Sequence, residues 1–193
     1  MSLEERPGYL RLKGKETLGS WFEQALVARR QQAFCYEAET KLEFDPDNFQ
    51  QCAGLVSYYN AYKYHYLYVS IDEQGRRFIG LMSCEGDLSM NVTFPLEEGY
   101  TAPGQLDERF LLPESGPVWM RAEVDGPALD FSWSTDGEHW NRVPITLNQS
   151  LISDEAGKGE GNSFTGAFIG MACQDLSGQD CPADFDYFEY REL

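Results

Sequence analysis

The sequence predicts an all-β fold of the sandwich or barrel kind. Apolar residues recur at every second position through most of the chain, the period at which successive side chains of a strand face opposite sides. The runs break at turn dipeptides, and the aromatics that make up 14% of the 193 residues suit strands better than helices. About a dozen strands fit at the spacing such folds use. A single domain of this length buries roughly 70% of the surface its unfolded chain exposes, so a core can hold it without disulfides.

Taken in order, MSLEERPGYL reads as a leader, residues 1–6, placed on a first strand from Gly8 to Lys13. Leu18 to Ala25 carries a weak helix signal, worth one turn or two. Ala25 to Ala28 is a short apolar strand that runs into Arg29 and Arg30. From Phe34 to Phe44 the even positions are Phe34, Tyr36, Ala38, Thr40, Leu42 and Phe44, and the odd ones are Cys35, Glu37, Glu39, Lys41 and Glu43. That strand turns one face to the core and one to water. Gln51 to Asn60 and Tyr64 to Asp72 read as paired strands, with a hairpin signal at Gln74-Gly75. Val118, Met120, Ala122 and Val124 alternate with Trp119, Arg121, Glu123 and Asp125, and Leu129, Phe131 and Trp133 continue the pattern. Asp125-Gly126-Pro127 and Asp136-Gly137 mark turns, because glycine accepts the positive φ that tight turns require. SWSTDGEHW, Ser132 to Trp140, reads as a hairpin with Trp140 packed beneath its turn; it resembles a sialidase Asp box but lacks one residue between Asp and Gly. Two final strands, Ala167 to Gln174 and Ala183 to Arg191, let the chain end by closing a sheet. Glu97 to Gln105 and Asn148 to Asn162 are long loops, where a site is to be sought.

The formal charge of −17 excludes partners more than it selects one. A nucleic-acid binder needs a cationic footprint, and an anionic membrane surface would repel this chain. A neutral sugar is compatible. Five cysteines with no C-x-x-C pair read as reduced thiols of a cytoplasmic protein. Cys173 and Cys181 flank one loop, which leaves a disulfide between them open. No run reaches the ~20 apolar residues of a membrane span, and no signal peptide is evident.

Catalytic chemistry finds little support. His65 and His139 show no zinc spacing, there is no G-x-S-x-G elbow, and Gly157 to Gly161 lacks the spacing of a phosphate loop. Asp184 and Asp186 project side by side from one strand rather than across a sugar, as acid and base would. They read as a solvated or turn-bonding pair, with a calcium site as the alternative. No cofactor and no catalytic residue is expected. Tyr64, Tyr66 and Tyr68 share a strand face, which could stack a pyranose or form a layer in the core or against another domain. Arg29 and Arg30 point to opposite faces, for a structural ion pair or an interdomain contact.

Four segments in order, LVARRQQ, AGLVSYYN, FTGAFIGM and ADFDYFEY, give nearly the whole chain a likeness to a known family. It resembles the C-terminal β-sandwich domain of glycoside hydrolase family 43 β-xylosidases, of the xylan 1,4-β-xylosidase and α-L-arabinofuranosidase type. The resemblance implies a concanavalin A-like jelly roll of two antiparallel sheets. It also implies a partner in the same polypeptide, an N-terminal catalytic β-propeller that carries the carboxylates, is absent from this sequence, and acts on xylo-oligosaccharides. In such enzymes a sandwich loop puts an aromatic at the mouth of the substrate pocket, and the matching residue is Phe164 in SFTGAF. The expected function is thus an accessory domain that completes and stabilises an inverting exo-xylosidase, itself without catalytic residues. Two alternatives stand beside it: an autonomous carbohydrate-binding module, and a purely structural domain or one that forms a homo-oligomer.

Overall fold

A computed structural model describes residues 1–85, 108–156 and 166–193. Among these residues eleven strands form two antiparallel sheets. The larger sheet has the order β1 (Leu10–Lys13), β11 (Pro182–Glu192), β3 (Cys35–Glu43), β7 (Val118–Asp125), β8 (Ala128–Ser134) and β9 (Asn141–Asn148). The smaller has the order β2 (Ala25–Arg30), β10 (Phe168–Asp175), β4 (Gln51–Asn60), β5 (Lys63–Ile71) and β6 (Arg77–Glu85). The last two strands are neighbours in sequence but lie in different sheets. β11 slots between β1 and β3, so the C-terminal strand does close a sheet, pairing on both sides.

The predicted alternation governs the larger sheet. Tyr36, Ala38, Thr40 and Leu42 of β3 are buried while the odd positions are half-buried. Val118, Met120, Ala122 and Val124 of β7 and Leu129, Phe131 and Trp133 of β8 join the same core between the sheets. From the smaller sheet, Ala53, Leu55, Leu67, Val69, Ile79, Leu81, Ile169 and Met171 meet them.

The smaller sheet differs, because β4 and β5 are buried on both faces. On its outer side Tyr64, Tyr66 and Tyr68 pack with Cys52, Val56, Met82, Ala172 and Leu18 in a second apolar cluster. Tyr66 donates its hydroxyl to Ala172 O at 2.9 Å, which satisfies a polar group in an otherwise apolar layer. Tyr68 pairs with Gly54 of β4 and Gly80 of β6, and the second of these makes room for its ring. A Cβ at Gly80 would stand 2.2 Å from the Tyr68 ring, and one at Gly54 would stand 2.0 Å from the Leu67 carbonyl oxygen.

Several expectations are corrected. Leu18 to Ala25 forms no helix; it crosses the outer face of the smaller sheet in turns and bends, with Leu18 buried as part of the tyrosine cluster. The first strand begins at Leu10 rather than Gly8. Ser2 and Arg11 exchange two backbone hydrogen bonds of 2.9 Å. Arg6 reaches Asp184 at 2.8 Å and Glu43 at 2.7 Å. Beneath the Asp136-Gly137 turn lies Trp119 from β7, 3.1 Å from where a Gly137 Cβ would be, whereas Trp140 is capped by the Arg121 guanidinium at 3.8 Å. All five cysteines are free thiols, Cys173 and Cys181 included.

Asp184 and Asp186 are not a solvated or turn-bonding pair. A bulge between Phe185 and Tyr187 shifts the register of β11 on β3. It switches the core-facing side chains from odd (Ala183, Phe185) to even (Phe188, Tyr190). Asp184 is buried under Arg11 and Arg6, and Asp186 binds Lys41 at 2.8 Å.

The glycine at the centre of the doubly buried sheet gives a direct test. Gly54→Ala drives a methyl into the backbone of β5, which cannot retreat as a flexible side chain could. Urea unfolding of this variant is expected to show a loss of about 3 kcal/mol or more, or no folded state.

Candidate functional site

Of the residues singled out by the sequence, Arg29 and Arg30 lie at one end of the sandwich, where β2 ends and β10 begins. Arg30 and Phe168 are paired across these strands, and Gln31 N donates to Ala167 O at 2.9 Å one step further. Arg29 and Arg30 do point to opposite sides. The Arg29 guanidinium lies 4.0 Å over the Tyr190 ring and donates to Gln32 Oε1, while that of Arg30 lies 4.9 Å over Phe168. Neither has a carboxylate partner among the described residues, so the expected ion pair is replaced by stacking on aromatic faces.

Arg30 also meets the chain where it re-enters β10. Gly166 has φ +74°, and a Cβ there would stand 2.3 Å from Arg30 Nη1. The Gly166 amide donates to Asp154 Oδ1 at 3.3 Å, and the same oxygen accepts from the buried Tyr59 hydroxyl at 2.5 Å. Asp154 thus ties the chain that leaves β9 to the chain that enters β10. Tyr59 and Arg30 hold that junction against the smaller sheet.

Beneath it the inner core turns polar. Asn148 caps the short 3₁₀ turn Gln149–Leu151 through the Ser150 amide. The buried Gln149 accepts from Ser57 Oγ at 3.0 Å and donates to Gln31 Oε1 at 3.2 Å. His65, 0% exposed, has Nδ1 2.7 Å from Ser83 Oγ and Nε2 3.4 Å from Asn148 O. Burial pushes its pKa down to about 4, although the Asn148 carbonyl favours the proton. An open depression of ≈ 610 Å³ adjoins, lined by the exposed Phe34 with Gln31, Gly126, Pro127, Gln149 and Ile152.

Phe164 and Gly157 to Gly161 lie outside the described residues, as does the loop Glu97 to Gln105. Tyr64, Tyr66 and Tyr68 are 1%, 0% and 5% exposed, so their rings offer a sugar no open face. Among the described residues no cluster of three or more His, Cys, Asp or Glu could hold a metal ion. Among the described residues, the carboxylates whose ionisation the fold changes all ionise more readily than free ones. For Asp184, burial opposes this and the hydrogen bonds from Arg11 and Arg6 prevail. For Asp136, the backbone amides of His139 and Glu138 hold the carboxyl well below the usual range. A glycosidase general acid needs the opposite shift.

Asp154 and Gln149 escaped the reading of the sequence, as did the role of Tyr59. Tyr59 sits in AGLVSYYN as a companion of Tyr58, and its partner Asp154 is 95 residues away. No local pattern announces such a pair.

Comparison with known proteins adds a second line of observation. The profile of the beta xylosidase C-terminal concanavalin A-like domain matches residues 1–191. A putative beta-xylosidase of Escherichia coli (strain K12) is 42% identical over 193 residues, which are 100% of this chain and 34% of that protein. A beta-xylosidase of Bacillus subtilis (strain 168) is 40% identical over 99% of this chain and 33% of its own length. The crystal structure of a xylan beta-1,4-xylosidase from Bacillus halodurans C-125 superposes with a TM-score of 0.86 at 39% identity, covering 99% of this chain and 34% of that one. The chain therefore spans about a third of the length of the relatives it matches.

Two measurements test the geometry of this end. Gly166→Ala must place a side chain at positive φ and displace the Arg30 guanidinium, which is the mobile end of its side chain. A loss of about 1–2 kcal/mol in denaturant unfolding is expected, dominated by the backbone. His65 carries a pH signature. Its folded pKa lies below the ordinary 6.5, so the unfolded chain takes up the proton first. The stabilisation is complete above pH 6.5 and is lost as the pH falls toward 4, by about 3 kcal/mol in all. Unfolding curves between pH 7 and pH 4, with the His65 imidazole followed by NMR, check it; titration near 6.5 in the folded state would contradict this account.

Proposed function

Since this chain belongs to the glycoside hydrolase family 43 beta-xylosidase C-terminal concanavalin A-like domain family, we propose that it is the accessory domain of an exo-acting β-xylosidase. In this reading it packs on a catalytic β-propeller in the same polypeptide, stabilises it and walls its substrate pocket. The observation that carries the reading is the match over residues 1–191 to a domain that is C-terminal in proteins about three times as long.

The division of labour follows from the carboxylates. Hydrolysis with inversion requires one carboxylate to activate water against the anomeric carbon and another, held protonated, to donate to the leaving oxygen. Among the described residues, Asp184, Asp186, Glu43 and Glu39 serve ion pairs, and none whose ionisation shifts is held protonated. Both catalytic groups are assigned to the propeller.

The contribution of this chain is positional. Asp154 and Gly166, fastened by Tyr59 and Arg30, fix both ends of the segment that contains Phe164. Phe164 then supplies an apolar wall that excludes water and keeps the pocket short, which favours removal of terminal xylose. The burial of Tyr64, Tyr66 and Tyr68 removes the observation that favoured an autonomous sugar-binding module. Five free thiols favour a reducing, cytoplasmic setting.

Hydrolysis of an aryl β-xyloside and of xylobiose separates the parts. The 193-residue chain alone is expected to show no turnover, and the full-length polypeptide to show it. In the full-length polypeptide Phe164→Ala is expected to lower kcat/KM by roughly ten-fold or more, the value of one apolar pocket contact, with the unfolding of this domain unchanged. Turnover by the chain alone, or a variant with intact kinetics and a destabilised sandwich, would overturn the assignment.

A further inference from the structure

Apolar surface is unevenly spread over this molecule. Among the described residues the large exposed hydrophobics fall mostly within the first 50 positions, and none comes from β5 to β9. The densest part is the turn segment before β2, where Trp21 is 60% and Phe22 is 89% exposed. With Leu26, Tyr58 and Tyr62 they line an open groove of ≈ 510 Å³ on the outer side of the smaller sheet. Trp21 packs edge-on against Tyr62, with ring centroids 5.6 Å apart. Among the described residues no charged one lines the groove, although the chain carries a net −17. Charge-depleted, aromatic-rich surface is the composition of an interface core.

We infer that this groove is the seat of the catalytic domain that precedes this chain in the same polypeptide. The inference rests on the proposed function and adds to it the face through which the two domains meet. Three observations favour this occupant. In relatives of which this chain is about a third, the remaining length lies ahead of a C-terminal domain. That chain arrives at the right edge, because Ser2 is tied to Arg11 of β1, and β1 packs against β2, the edge strand that supplies Leu26. The groove is also continuous with the end of the sandwich described above, since Tyr59 lines it and bonds Asp154.

The polar groups of the groove speak against a sugar. Gln24 donates to the carbonyls of Leu18 at 2.6 Å and Ser20 at 2.7 Å, and accepts from Tyr58 Oη at 3.2 Å. Ser20 donates its hydroxyl to Glu16, and Asn60 Oδ1 accepts from the Tyr62 amide at 2.9 Å. These groups are engaged within the chain, whereas a sugar site needs directed polar groups free to read hydroxyls.

Hydroxyl-radical footprinting of the 193-residue chain and of the full-length polypeptide, read by mass spectrometry, tests the inference. Trp21 and Phe22 are expected to be readily oxidised in the isolated chain and to lose most of that reactivity in the full-length polypeptide. Phe22→Ser is expected to leave the Tm of the isolated chain unchanged and to lower the Tm of the sandwich in the full-length protein. If Trp21 and Phe22 stay reactive while another face of this chain is protected, the groove is not the seat and the accessory reading survives. If no part of this chain is protected, both fall. Protection in the isolated chain that grows with its own concentration, or that xylobiose induces, would replace the catalytic domain by a second copy or by a sugar.

Discussion

Tyr66 donates its hydroxyl to Ala172 O from the outer side of a sheet whose inner side is packed against the main core, and so it lies in the middle of the domain rather than on its surface. Burial of both faces of the smaller sheet is the constraint from which most of this architecture follows. Large rings on an outer face need depth, which Gly80 provides on the strand beside Tyr68. They also need a cover, and the segment between β1 and β2 lays Leu18 upon them. That segment continues into Trp21 and Phe22, whose rings have no comparable cover within the described residues. A layer that hides tyrosines thus ends by exposing a tryptophan and a phenylalanine at its rim.

The larger sheet solves the same problem with charge. Its outer face carries Glu39 and Glu37 around Arg121, Glu37 with Arg191, and Lys41 with Asp186. Arg121 and Lys41 also lie over the rings of Trp140 and Trp119. Each partly exposed pair contributes little, about 0–1 kcal/mol, so this lattice marks a solvated face more than it holds the sheet together. Asp184 is the exception in kind. It is buried beneath two arginines that come from the N-terminal segment and from β1, and it locks the last strand to the first. The chain therefore presents paired charges on the outer face of one sheet and apolar side chains at the rim of the other.

Period two was enough to read β3, β7 and β8, because one face of each meets water and the alternation survives. It could not distinguish a half-buried strand from a fully buried one in β5, where KYHYLYVSI is apolar or aromatic at most positions. The tyrosines were visible as a face, and only the packing of Leu18, Cys52 and Met82 against them shows that the face is interior. In β11 a single bulge at Asp186 reverses the parity, so ADFDYFEY looked like one regular strand with two neighbouring acids. Arg29 and Arg30 were placed correctly on opposite sides. Their partners, Tyr190 and Phe168, belong to strands that begin more than a hundred residues later.

By itself, then, the sequence determined the class of fold, the hairpin turns, the inward faces of the one-sided strands and the family, since these depend on spacing and composition within short windows. Only the tertiary structure decided that the tyrosine face is closed, that Asp154 joins Tyr59 to Gly166, and that Trp21 and Phe22 stand open. Those are contacts between segments tens of residues apart, where partner and solvent compete for the same side chain. The local pattern of residues is the same whichever of them wins.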